Sequence, residues 1–156
     1  MSSSTILFFF SALFFAAASA SPLAARGTCH PNFEGACSHC VYPEWCTLVF
    51  FFQQNGSPVV SYTVKTEANN NFAVELKGNA LFMNNVDWSG SNVNQKWMVD
   101  CTMCSTDISQ KKGVVASGCT ITSNTNNGLC VTAKPNAQMT LTPCSNSGDQ
   151  QFNFSV

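Results

Sequence analysis

Two segments of this 156-residue chain share one plan, and that sharing constrains the fold more than any other feature. Val64-Lys65-Thr66-Glu67-Ala68-Asn69-Asn70-Asn71-Phe72-Ala73-Val74 aligns without a gap on Ile121-Thr122-Ser123-Asn124-Thr125-Asn126-Asn127-Gly128-Leu129-Cys130-Val131. Both read as a β-branched residue, a polar run, a double Asn, a large apolar residue, a small one and Val. Each segment then closes on Gln-x-aromatic: Asn94-Gln95-Lys96-Trp97 in the first, Asp149-Gln150-Gln151-Phe152 in the second. Gln95 and Gln150 fall in register once the second copy is allowed to be two residues shorter. Trp97 and Val99 then match Phe152 and Phe154. A repeat of this length means that one supersecondary unit is used more than once.

The repeated units are preceded by a segment of a different kind. Ile6 to Phe15 is an apolar run of signal-peptide length, and Ala18-Ser19-Ala20 supplies a small-residue cleavage pattern. The run is too short and too poorly flanked for a membrane helix. Residues 1–20 are therefore expected to be a signal peptide, 21–28 a linker, and 29–156 one domain. Its subdivisions are expected at roughly 29–57, 58–100 and 114–156, with an inserted loop at 101–113. All nine cysteines lie after the cleavage site, which in an exported chain reads as disulfides. Nine is odd, so at least one thiol is free or pairs outside the chain. The formal net charge of −1 argues against nucleic acid and acidic membrane surfaces as partners. Asn, Ser and Thr must supply the polar surface, and Asn55 and Asn153 stand in glycosylation sequons.

Period-two patterning runs through the domain. Val60, Tyr62 and Val64 share one face of a strand, with Ser61, Thr63 and Lys65 opposite. Phe72, Val74 and Leu76 continue it, and Leu81 and Met83 begin a third strand. Turn residues separate these, at Asn69-Asn70-Asn71, Lys77-Gly78-Asn79 and Ser89-Gly90-Ser91-Asn92. The last segment repeats the plan at Thr120–Ser123, Leu129–Ala133, Met139–Thr142 and Phe152–Val156. No helical periodicity is present, so an all-β barrel or sandwich is expected. The run Leu48-Val49-Phe50-Phe51-Phe52 reads as a buried strand, or as an aggregation-prone segment.

Four-strand units that end in Gln-x-Trp resemble the ricin-B type of β-trefoil lectin domain. Leu129-Cys130-Val131 with Leu141-Thr142-Pro143-Cys144 and Gln150-Gln151-Phe152 is close to that repeat pattern. Cys29-His30-Pro31-Asn32-Phe33-Glu34-Gly35, and Gly90-Ser91-Asn92 running into Asn94-Gln95, are similar to small secreted basidiomycete proteins of this kind. The resemblance implies a β-trefoil, three units about a pseudo-threefold axis, the first shortened or diverged. The awkward stretch Ala36 to Gln54 belongs to that first unit; either it has diverged heavily or it is a gene-model error. The resemblance also implies a Cys130–Cys144 disulfide. Cys101, Cys104 and Cys119 are expected to pin the inserted loop, with Cys29 a candidate fourth partner and the connectivity open. In this family Gln95, Trp97, Gln150 and Phe152 are structural. A sugar pocket in the central unit would use Glu75 as the hydrogen-bonding carboxylate, Trp88 as the stacking ring, and Asn94 and Gln95 as amides. The last unit carries Thr132 and Thr142 at the corresponding places and offers no comparable pocket.

A secreted, non-catalytic carbohydrate-binding protein, with glycans as partners and no cofactor, is thus the expected function. A protein of this fold that has lost sugar binding and acts as a protease inhibitor or effector is the alternative, with the Cys101–Gly113 loop as its contact. Catalysis is disfavoured: there are two histidines, both in the irregular N-terminal part, and no nucleophile elbow, phosphate loop or placeable carboxylate pair. Cys37, His39, Cys40 and Cys46 have metal-like spacing, but disulfides are the better reading for an exported chain.

Overall fold

The computed structural model describes residues 28–33, 39–40 (backbone only), 50–56, 61–66, 69–106 and 112–156. Residues 1–20, and the cluster Cys37, His39, Cys40 and Cys46 as a group, lie outside the residues so described. Among the described residues there are eleven strands: β1 (His39–Cys40), β2 (Phe50–Asn55), β3 (Ser61–Thr66), β4 (Phe72–Lys77), β5 (Ala80–Asn85), β6 (Trp97–Asp100), β7 (Met103–Cys104), β8 (Val114–Ser123), β9 (Asn126–Thr132), β10 (Thr140–Pro143) and β11 (Phe152–Ser155). Two single 3₁₀ turns, Val93–Gln95 and Gly148–Gln150, precede β6 and β11. Among the described residues no helix is long and apolar enough to cross a membrane.

The all-β expectation holds, but the trefoil does not. Strands β8, β6, β3, β4, β5, β10 and β9 form one continuous antiparallel ladder, and pairing of β9 with β8 closes it. The result is a closed seven-stranded barrel, with β1, β2, β7 and β11 added outside that ring. A threefold trefoil needs a third four-stranded unit, and the described part of the N-terminal region supplies only β1 and β2. The two do not pair with each other: β2 pairs along its whole length with β3, Phe50↔Thr66 to Asn55↔Ser61, and β1 pairs with β11. The barrel is instead completed between the two repeated units. Thr140 of β10 pairs with Ala80 of β5, and the Gln138 side-chain amide donates to the Leu81 carbonyl at 3.0 Å. Closure removes the open edges that a sheet of this length would otherwise expose.

Period-two residues fill the interior. Tyr62, Val64, Trp97, Val99, Ile121, Val131, Leu141 and Phe152 are all buried. The N-terminal segment adds Phe33, whose ring lies 5.7 Å from Tyr62 and 5.2 Å from Phe154; Phe52 lies 4.9 Å from Phe154. Offset and edge-on aromatic contacts of this kind add to the area they bury. The buried Tyr62 hydroxyl donates to the Pro31 carbonyl at 2.5 Å. Its pKa is raised, first by burial and then by the Asp100 charge. The run Phe50-Phe51-Phe52 is therefore covered strand: Phe52 faces the core, and Phe50 and Phe51 are half-buried.

Among the described residues three disulfides crosslink the barrel and the segments beside it: Cys29–Cys104, Cys101–Cys119 and Cys130–Cys144. The last is the bridge that the resemblance implied. The first two settle the open connectivity: Cys29 is the fourth partner, and a backbone bridge between Cys29 and Cys101 accompanies the pair, with N–O distances of 3.0 Å in both directions. Three such bonds fit an oxidising environment.

Candidate functional site

The two glutamines of the Gln-x-aromatic motifs are buried and make matching bonds. Gln95 Oε1 accepts from the Asp87 amide at 2.9 Å, and its Nε2 donates to the Asn85 carbonyl at 2.8 Å. Gln150 Oε1 accepts from the Ser145 amide at 2.8 Å, and its Nε2 donates to the Pro143 carbonyl at 3.0 Å. Each glutamine thus ties the strand that follows it to the end of the preceding hairpin. Their amides are spent on protein groups, as buried polar groups require, so Gln95 positions the site rather than offering itself to a ligand. Trp97 and Phe152 lie buried just beyond, and the Trp97 indole donates to the Val74 carbonyl at 3.0 Å.

The two units differ in what sits beside the glutamine. In the second, Gln150 Nε2 also reaches Thr132 Oγ1 (3.2 Å) and Thr142 Oγ1 (2.8 Å), and these hydroxyls bond each other at 2.6 Å. That cluster is closed on itself. In the first, Glu75 replaces Thr132 and Asn84 replaces Thr142. Glu75 Oε2 accepts from Gln95 Nε2 at 2.9 Å, Asn92 Nδ2 at 3.0 Å and Asn84 Nδ2 at 3.2 Å. Three amides therefore hold one carboxylate oxygen, while Oε1 has no hydrogen bond among the described residues.

Directly across the hairpin from Glu75 stands Phe82, 48 % exposed. Cross-strand partners have Cβ atoms about 5 Å apart, so an open ring stands beside a half-free carboxylate. Phe82 was missed in the sequence, although the Lys77-Gly78-Asn79 turn holds the signal. With Lys77 paired to Ala80, counting outward sets Glu75 opposite Phe82. Asn94 is not gathered in: it is exposed, and its backbone amide donates to Asn92 Oδ1 at 3.0 Å. Asn92 takes the place expected of Asn94.

Trp88 lies on another side of the same cluster. It is 67 % exposed and borders a cavity of ≈ 180 Å³ that Asn92 and Gln95 also line. The Lys65 ammonium sits 4.2 Å from the centre of its ring. Lys65 was expected on the strand face opposite Tyr62 and Val64. Both faces of β3 carry buried residues, and residues of the 86–92 loop line a cavity together with Thr63 and Lys65 of the second face. Asn55 lines this cavity too, with Nδ2 donating to Ser61 and Thr63 hydroxyls.

A clip centred on Asp87 shapes the loop that carries Trp88. Asp87 Oδ1 accepts from the Ser89 hydroxyl (2.6 Å) and amide (3.0 Å); Oδ2 accepts from the Asn92 amide (2.6 Å) and the Ser91 hydroxyl (3.0 Å). Gly90, at φ +69°, turns the chain inside the clip. The Ser89 hydroxyl bond, followed by the Asn92 amide, holds the Asp87 carboxyl well below its ordinary pKa of 3.8. A depressed pKa means that the carboxylate's contribution is complete above 3.8 and fades only as pH falls through the lower folded value. The Asn92 amide resonance is expected to titrate with a midpoint well below 3.8; a midpoint at the ordinary value would mean that the clip is not formed in solution.

Among the described residues no group of three or more His, Cys, Asp or Glu side chains is placed to hold a metal ion. Comparison of the chain with family models, with curated proteins and with solved structures finds no match in any of the three.

Proposed function

We propose that this chain is a secreted, non-catalytic carbohydrate-binding protein whose first repeated unit carries the site. The observation that carries the reading is the half-free Glu75 carboxylate beside the open Phe82 ring. A sugar needs an acceptor for its paired ring hydroxyls and a flat apolar surface for its C–H face. Glu75 Oε1 is the acceptor, held in place by Asn84, Asn92 and Gln95 through Oε2. Phe82 is the surface, and the half-buried Asn92 and exposed Asn84 edge the shelf. The reading does not depend on a trefoil, since the shelf is built within one hairpin and the turn that packs on it. Export is supported by the apolar leader pattern in the sequence and by three disulfides.

A glycan array on the mature chain tests this, with Phe82→Ala and Glu75→Ala beside it. Phe82 is half out in solvent, so its loss leaves the fold intact and is expected to weaken binding by about tenfold, the worth of one aromatic contact. Glu75→Ala is expected to abolish binding. It also strands three amide donors, so circular dichroism must accompany it. Glycan binding that survives both changes moves the site elsewhere.

A second reading, protease inhibitor or effector, draws on the loop after β6. Cys101 and Cys104 pin it through two disulfides, and Met103 between them is 43 % exposed. A screen against proteases of differing specificity with no inhibition would count against it.

A further inference from the structure

Lys65 is only 2 % exposed, yet its ammonium has neither a hydrogen bond nor an ion pair among the described residues. Among the described residues its charge contact is the Trp88 ring, at 4.2 Å. A largely covered cation with no counter-ion among the described residues is unfavourable, and a ring face compensates only in part. Burial accordingly lowers the Lys65 pKa. The ammonium borders the ≈ 180 Å³ cavity, which Lys96, Gln53, Asn55 and Thr63 line as well. Asp87 also borders it, but both its oxygens are taken by Ser89, Ser91 and Asn92. Among the described residues, two lysines thus border a space whose one acid is already hydrogen-bonded through both oxygens. The volume is below the roughly 300–1,000 Å³ typical of drug-sized ligand sites, so it suits one ring or one charged substituent.

We propose that this cavity binds the anionic group, carboxylate or sulfate, of an acidic sugar, with the Lys65 ammonium as its counter-ion and Trp88 as its wall. This rests on the carbohydrate reading and narrows it. Asn92 and Gln95 belong to both the Glu75 shelf and the cavity, so the two sites adjoin. A neutral ring on the shelf and an acidic neighbour in the cavity would be held together. Sulfate and carboxylate offer the same chemistry here: anionic oxygens that accept from an ammonium in a partly dry site.

Calorimetric titration of the mature protein tests this with four probes: a uronic-acid disaccharide, its carboxyl-reduced neutral counterpart, a sulfated disaccharide of the same sugars, and sodium sulfate. The Trp88 indole resonance serves as a local reporter. At least one acidic disaccharide is expected to bind roughly ten- to hundredfold more tightly than the neutral one, the worth of a charge-assisted hydrogen bond. That preference is expected to shrink with salt, to vanish in Lys65→Met, and to persist in Lys65→Arg. Which acidic probe shows it identifies the anion. Equal binding of acidic and neutral sugars, or a preference that survives in Lys65→Met, overturns the inference and leaves the carbohydrate reading standing. A Trp88 shift with sodium sulfate, with no sugar bound, overturns both and leaves a site for inorganic anions. No response to any probe also overturns both.

Discussion

Trp97→Ala is expected to cost about 3–5 kcal/mol, the range for truncating a buried large aromatic. That is a large share of the roughly 5–15 kcal/mol that holds a domain folded. For a chain of this size it should lower the melting temperature by on the order of 10–20 °C. The reason is position as well as volume. Trp97 is 1 % exposed and begins β6, the strand that joins β3 to β8 in the barrel. It pairs with Tyr62 on one side and with Ser123 on the other. Its loss would leave a void where both ladders meet, and would strip the Val74 carbonyl of its indole donor. Trp97→Phe separates the two effects. It makes the first unit copy the second, where Phe152 fills the equivalent place, and removes the hydrogen bond with a small part of the volume. It should cost about 1–2 kcal/mol. Equal costs for the two variants, read from thermal melts, would refute the view that Trp97 acts mainly by filling space.

What was legible in the sequence was local. The hairpins β4–β5 and β9–β10 follow from period-two residues and the turns between them, and the Gln-x-aromatic pairs mark buried anchors in both units. Closure was not legible. It depends on β5 meeting β10 and on β9 returning to β8, contacts between segments far apart in the chain that no local pattern encodes. The two similar units suggested a third, and the N-terminal region was read as its remnant; in the structure β2 extends the existing sheet beside β3. The proposed site was legible only in part. Glu75 was singled out because the ricin-B resemblance implies a carboxylate at that point of the repeat. Trp88 was set beside it because the resemblance implies an aromatic near the third strand, whereas the hairpin, counted outward from its turn, sets Phe82 opposite Glu75. The burial of Lys65 was not legible, because alternation reports only which residues share a face. Whether another element covers that face is a tertiary fact.

Removing the Cys29–Cys104 bridge by double alanine substitution is expected to be the most damaging loss among the three described disulfides. A crosslink stabilises chiefly by limiting the unfolded chain, and the effect grows with the loop it closes. Cys29 and Cys104 are 75 residues apart, against 18 for Cys101–Cys119 and 14 for Cys130–Cys144. The expected costs are about 4 kcal/mol for the first pair and about 3 kcal/mol for each of the others. The first pair also tethers the segment that delivers Phe33 into its contacts with Phe52, Tyr62 and Phe154. Untethered, that segment must order itself against its own chain entropy, so the measured loss should reach or exceed the loop-closure figure. Melting of the three double variants in parallel checks the order. A larger loss for Cys130→Ala/Cys144→Ala than for Cys29→Ala/Cys104→Ala would mean that local packing, not loop closure, decides what each bridge contributes. All three together contribute on the order of 10 kcal/mol, as much as the whole net stability of many domains. The reduced chain is therefore expected to be unfolded at 37 °C, and the barrel to require an oxidising compartment in which to form.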